Sequence, residues 1–314
     1  MSIGDNTKMK TFIKIQDNLS DKELSKLNLL LDSENIYGIE ISYLGEAYGP
    51  VWDKDKNYNL DFVNKLTNIK GLSLFLPKTK ELDFLPPTLN WLSIGEFDNK
   101  KVSLKPISNL SRLKYLSLVR NSNNLSEISK LKQLEQASFT GYQLKKLEFI
   151  GELNELNDLY IAFGGGENID FLKNLKILKR LEILRVRNLS DISSISNLSE
   201  LEWLKIEDQA QVDQLPDLSN LKKLEHLSLI NLKNLKDISA LENSHIKELV
   251  LLNSNLTREQ LKPLIKSKIE KICISLKMKK DTHQINEILG NRVVEYIDTK
   301  SQKQEGIKYY RNIA

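Results

Sequence analysis

The residues best suited to chemistry are few and scattered. Three glycines, Gly164, Gly165 and Gly166, follow Phe163 and precede Glu167 and Asn168. A phosphate-cradling loop would add a lysine and then a serine or threonine at fixed spacing, and neither is there. The glycines read instead as a turn after a strand, where positive φ is tolerated. His226, His245 and His283 lie far apart with no carboxylate at metal-ligand spacing, so no metal or other cofactor is expected. Cys273 is the single cysteine and reads as a surface or half-buried thiol rather than a nucleophile. It excludes an internal disulfide, and no disulfide-linked partner is expected. The lysines Lys262, Lys266, Lys268, Lys271, Lys277, Lys279 and Lys280 could contact phosphates, but lysines near a terminal strand more often prevent edge pairing. No catalytic residue emerges, and the chain reads as a non-enzyme.

The elements that must position any site come from a repeat. The phrase LKKLEHLSLIN from Leu221 spaces its leucines by three, three and two, which joins a helical turn to a strand. It recurs as LSRLKYLSLVR from Leu110, LKRLEILRVRN from Leu178 and LSELEWLKIED from Leu198. Indexing each strand by its first inward residue gives Ile39, Leu72, Leu92, Leu116, Ala137, Leu159, Leu184, Leu204, Leu227, Leu249 and Ile272, mostly about 22 residues apart. The long first interval holds an insertion, Tyr43 to Asn59, with Tyr43, Tyr48, Trp52 and Tyr58. Asp191 and Asp237 are placed to accept the free amides of short outer helices.

These phrases resemble the leucine-rich repeat family in its short bacterial form, similar to the internalin and phosphatase-regulator type. The resemblance runs over roughly Ile36 to Ser275. It implies an α/β fold: a solenoid with a curved parallel sheet on the concave side, short helices or 3₁₀ turns on the convex side, and a cap at each end. It also implies protein binding without catalysis. The family's asparagine ladder is irregular: Asn121 is in place, whereas Asn188, Asn231 and Asn253 come one residue early.

Residues 1–35 read as an N-terminal cap, with a strand over Thr11 to Ile15 and a Ser20/Glu23 capping box opening a helix through Leu24, Leu27 and Leu31. Residues 36–277 form the array of about ten to eleven strands, and 278–314 a C-terminal cap and tail. Within that tail, Thr282 to Leu289 reads as a helix and Arg292 to Ile297 as a strand.

Residues between the inward leucines form columns on the concave face. They include Trp91, Tyr115, Tyr160, Arg185, Arg187, Trp203, Lys205, Glu207 and His226, with Arg120 at the rim. Trp, Tyr and Arg dominate binding energy at protein interfaces. One protein partner is therefore expected on this face, and Arg185, Arg187, Lys205 and Arg120 favour an acidic surface on it. The serines Ser73, Ser93, Ser117 and Ser138 leave room between Trp91 and Tyr115 for a partner side chain. The expected role is to bind and inhibit, as an immunity protein does. The alternatives are a secreted or injected effector or adhesin-like repeat protein, and nucleic-acid binding through the C-terminal lysines.

A net charge of +4 from 46 basic and 42 acidic residues is small for 314 residues and argues against a general nucleic-acid binder. No apolar run is long enough to span a membrane, and the polar start, MSIGDNTKMKTFIKIQ, is unlike a secretory signal. The expected location is the cytoplasm.

Overall fold

A computed structural model of the chain describes residues 10–15, 19–32, 36–43, 52–277, 279–295 and 307–310. In chain order the elements are β1 (Lys10–Ile15), α1 (Asp21–Asp32), β2 (Gly38–Ser42), β3 (Gly71–Phe75), β4 (Trp91–Ile94), β5 (Tyr115–Val119), β6 (Gln136–Thr140) and β7 (Asp158–Ala162). There follow β8 (Arg180–Leu184), β9 (Trp203–Glu207), β10 (His226–Ile230), β11 (Glu248–Ser254), α2 (Lys262–Lys266), β12 (Lys271–Leu276), α3 (Lys279–Leu289) and β13 (Ile307–Tyr310). Between strands the chain returns through short 3₁₀ turns such as Lys105–Asn109, Asp170–Asn174 and Ser193–Asn197.

The chain forms two compact units, one built up to Leu134 together with β13, the other from Glu135 onward. In the first, the strand order is β5-β4-β3-β2-β1-β13; in the second, β12-β11-β10-β9-β8-β7-β6. Within each unit the pairings between described strands are all parallel.

Each strand alternates, and its second and fourth residues go to the core. Leu72, Leu74, Leu116, Leu118, Leu227 and Leu229 are all fully buried. The leucines of the preceding turn, such as Leu198 and Leu201, are buried beside them. Burying a side chain of this size contributes about 1.5–3 kcal/mol, so the change from a spacing of three to a spacing of two is what holds each repeat shut. Asp191, Asp217 and Asp237 accept the main-chain N–H of Ser193, Ser219 and Ser239 at 2.9, 2.9 and 2.7 Å. These three bonds are Asx turns that lead the chain into the outer segment; the 3₁₀ turns after Asp191 and Asp237 have their N-caps one residue later, at Ile192 and Ile238, without a side-chain cap of their own.

At the N-terminal end, Ser20 N–H donates to Glu23 Oε2 at 2.8 Å and Glu23 N–H donates to Ser20 Oγ at 3.4 Å. This is the reciprocal cap of α1, which buries Leu24, Leu27 and Leu31. Of the insertion, Trp52 is 3% exposed and donates its indole N–H to Ile15 O. Its ring meets Tyr58 edge-on at 4.4 Å. Tyr48 lies outside the described residues. After α3, Val293 makes an isolated parallel bridge with Ile272. Over its described residues the strand expected from Arg292 to Ile297 is reduced to that bridge, with Arg292 closing a 3₁₀ turn; Tyr296 and Ile297 lie outside the described residues.

One repeat is in a different register from the one its leucines suggest. Leu181, not Leu184, pairs with Leu159 on one side and Leu204 on the other. Ile183 is the second inward residue, fully buried. The outward residues of β8 are therefore Arg180, Glu182 and Leu184, and Arg185 and Arg187 lie beyond the strand.

The sixth residue counted from the start of each strand from β5 to β11 takes a left-handed conformation. These residues are Arg120 (φ 52°), Gly141 (82°), Phe163 (54°), Arg185 (47°), Asp208 (56°), Asn231 (58°) and Asn253 (54°). The asparagines that seemed one residue early, Asn231 and Asn253, are the cheap occupants of this place, because Asn and Asp enter the left-handed region more readily than bulkier residues. Asn188 (φ 66°) is not one of them: with the corrected register, Arg185 holds that position in its repeat.

Candidate partner-binding face

The open face of each unit is the sheet side turned away from the leucine core. In the first unit it is filled from within. Phe12, on β1, is fully buried, and its ring lies where a Cβ at Gly71 would be, within 2.6 Å. A Cβ at Gly38 would stand 2.0 Å from Gly71 O. Gly71 thus leaves room for the ring of Phe12, which meets Trp91 edge-on at 5.0 Å, and Gly38 leaves room for the Gly71 main chain. Trp91 in turn stacks on Tyr115 at 4.9 Å with ring planes 4° apart. No gap separates Trp91 from Tyr115, so the slot expected from the neighbouring serines is closed. Phe75 covers Gly95 in the same manner, its ring 2.6 Å from where a Cβ would sit.

In the second unit the face is laid out as two ladders of side chains. The first runs Asp158, Arg180, Trp203, His226, Glu248, Lys271 on adjacent strands. Arg180 Nε is 3.3 Å from Asp158 Oδ2, and its guanidinium lies over Trp203 at 4.3 Å. On the other side Trp203 stacks on His226 at 5.6 Å with planes 5° apart. His226 Nδ1 is 3.4 Å from Glu248 Oε2, and Lys271 Nζ is 2.9 Å from Glu248 Oε1.

Burial holds the His226 pKa below its usual value, against the pull of Glu248, and so favours the neutral ring. Burial also raises the carboxyl of Asp158, in spite of Arg180. Trp203 is 4% exposed, and its Nε1 has no hydrogen-bond partner among the described residues; the same is true of His226 Nε2 and Ser228 Oγ.

The second ladder is Tyr160, Glu182, Lys205, Ser228. Lys205 Nζ sits 2.9 Å from Glu182 Oε1 and 2.8 Å from Glu207 Oε2. Burial works against its charge, but these two bonds outweigh it and raise its pKa. Burial, with Glu182 second, raises that of Tyr160. At its far end the face is closed: Val250 and Cys273 are buried against each other, with Ile230, Leu252 and Val294 packed on them. Cys273, expected as a surface or half-buried thiol, is buried there.

Neither the family models nor the curated proteins searched give a match. Among solved structures, an internalin, InlF, from Listeria monocytogenes str. 4b F2365 is similar at a TM-score of 0.53 and 24% identity, over 83% of this chain and 72% of that one. The chain has the leucine-rich repeat fold. Internalin C2 from the same organism is similar at 0.42 and 21%, over 72% of this chain and 83% of its own. A leucine-rich repeat protein of Leptospira interrogans, LIC12759, is similar at 0.44 and 18%, over 92% and 90%.

Within this repeat fold the predicted residues fall into three places. Trp91 and Tyr115 belong to the filled face of the first unit. Tyr160, Trp203, Lys205, Glu207 and His226 share the open face of the second. Arg185 and Arg187, expected on that face, stand at its edge instead, because the repeat at β8 starts three residues earlier than the leucine spacing suggested. Arg120 is at the equivalent edge position of the first unit, 3.3 Å from Glu96.

The sequence reading missed Arg180 and Glu182, which occupy the face in place of the two arginines, and Phe12, which fills the space left at Gly71. Asn174-Leu175 matches Asn197-Leu198 and Asn220-Leu221, and that dipeptide was the signal for the correct register. The described residues contain no cluster of three or more His, Cys, Asp or Glu able to hold a metal ion. No described helix is long and apolar enough to cross a membrane.

Proposed function

We propose that this chain is a non-enzymatic protein-binding scaffold, and that the open face of its second unit engages one partner protein. The observation that carries the reading is the group Tyr160, Arg180 and Trp203: two half-buried side chains of hot-spot type beside a tryptophan that is itself buried, clamped between Arg180 and His226, with an N–H unpaired among the described residues. Each unmatched buried polar group costs about 1–3 kcal/mol, and such a cost is retained where a surface serves something other than its own stability.

Around Trp203 the half-buried Tyr160, Arg180, Glu182, Lys205 and Glu207 are held in place by one another, so little side-chain freedom is lost on binding. The charges here are paired, with Lys205 between two carboxylates. The face therefore suits a partner of mixed polar and apolar character better than an acidic one. A rigid surface of this kind acts by covering its partner, as an inhibitor or immunity protein does, and a single cysteine suits work in the reducing cytoplasm.

The nucleic-acid alternative is weakened at its own residues: Lys262, Lys266 and Lys271 are each ion-paired, with Glu259, Glu242 and Glu248. The test is capture from the native cell with the wild-type chain and with the Tyr160→Ala/Arg180→Ala double variant, followed by identification of what co-purifies. The partner is expected on the wild type and absent from the folded double variant. Equal capture by both would remove the face from consideration.

A further inference from the structure

Resting on the protein-binding reading, we infer that the second unit carries another recognition site at the edge of its sheet, where Phe163, Arg185 and Arg187 take an acidic segment of a protein partner that also carries an apolar side chain. The left-handed position follows each strand from β5 to β11, with Arg120 in the first unit and six residues in the second. Gly141, Asp208, Asn231 and Asn253 fill it with residue types that adopt it at little cost. Phe163 and Arg185 fill it in adjacent repeats with bulky side chains, for which positive φ is an outlier. Backbone strain of this kind gathers at functional sites. Phe163 is also 45% exposed, so its ring is not there to fill the core.

The backbone beneath is fixed. Phe163 N–H donates to Leu184 O at 2.9 Å, and Arg185 N–H to Glu207 O at 3.0 Å. Beyond the bend, Gly165 bridges both Gln143 and Arg187, so a second short ladder runs on from the first. Gly164 lets that ladder form, because a Cβ there would stand 2.1 Å from Tyr142 O. Phe163 therefore projects from a corner held on both sides.

The chemistry of the site is set by Arg185. Asp208 Oδ2 accepts from its Nε at 3.0 Å and from its Nη2 at 2.5 Å. Asp208 is held ionised in this role, its pKa lowered first by its bond from Asn231 and then by Arg185. That contact uses the Nε/Nη2 edge of a planar group with five donors, and the Nη1/Nη2 end stays available for a second carboxylate. The guanidinium lies 5.7 Å from the Phe163 ring, and its side chain is 65% exposed. Arg187, also exposed, adds a cation with no ion pair among the described residues. An apolar ring, an oriented guanidinium edge and a second positive charge select a carboxylate next to an apolar group.

The experiment titrates two short fluorescent peptides of one design into the full chain by anisotropy. One alternates leucine with aspartate between glycine–serine spacers, and the other has asparagine at each aspartate. The acidic probe is expected to bind about tenfold tighter than the neutral one, and Phe163→Asn and Arg185→Asn are each expected to lose about tenfold. Asparagine is native at the equivalent position in two later repeats, so these variants fold, and the thermal midpoint of Phe163→Asn is expected to rise by about 2–4 °C as strain is released. Equal binding of the two probes, or undiminished binding by both variants, overturns the edge site and leaves the sheet-face reading to its own test with Tyr160→Ala/Arg180→Ala. A lower midpoint for Phe163→Asn overturns it as well, since the ring would then be structural.

Discussion

Two buried side chains set the extremes of what a single residue does here. Trp203 makes two stacking contacts, at 4.3 Å to a guanidinium and 5.6 Å to an imidazole, yet its indole N–H is unpaired among the described residues. Phenylalanine keeps the stack and removes the orphan donor, so Trp203→Phe is expected to unfold at the same or about 1 kcal/mol higher free energy in urea. Trp203→Ala removes the stack and is expected to cost about 3 kcal/mol, because the residue is nearly as buried as a core side chain. Asn121 is the opposite case. It accepts Phe97 N–H at 2.9 Å and donates to Gly95 O at 2.7 Å, so one amide closes two main-chain groups. Asn121→Ala leaves both without that partner, and a loss of about 2–3 kcal/mol in the same assay is expected.

At the scale of the element, the cap of α1 shows how a local signal becomes structure. Ser20 and Glu23 satisfy each other's amides, and without the serine oxygen the first turn frays. Ser20→Ala is expected to speed amide exchange in that turn about fivefold while β3 and β4 stay protected. That cap was legible in the sequence because both partners lie within one turn. The strands were legible for a similar reason: each carries a spacing of two after a spacing of three.

The exception is β8, where Leu175, Leu178, Leu181 and Leu184 run at a spacing of three without a break, so four leucines offer two registers. Packing decides between them: Leu181 and Ile183 are fully buried, whereas Leu184 is not. The slip of three residues carried Arg185 and Arg187 onto the face in the sequence reading and left Arg180 and Glu182 off it. Gly71 of β3 was equally silent, since the ring that needs it, Phe12, comes from a strand before the repeats begin.

For the whole molecule, the distribution of carboxylates decides how it meets acid. Asp191, Asp217 and Asp237 are held below their ordinary value of 3.8 by the Ser193, Ser219 and Ser239 groups they accept from. Asp208 is lowered by Asn231 and Arg185, and Glu96 by Lys100 and then Arg120. A group with a depressed folded pKa contributes stability that is complete above its unfolded value and is lost as pH falls through the folded one. Asp158, raised by burial, contributes with the opposite sign but is a single group.

His226 obeys the same rule at a higher pH. Its folded pKa is depressed from 6.5 by burial, with Trp203, Arg180 and Glu248 facing it, so the unfolded chain takes up its proton first. The expected profile therefore has two stages. The thermal midpoint begins to decline just below pH 6.5, and it declines more steeply once the pH drops under the ordinary carboxylate values. In His226→Gln the first stage should vanish and the second remain. A midpoint that holds flat in the wild type down to the carboxylate range would mean that His226 is as well solvated folded as unfolded, and that the stack against Trp203 is not closed.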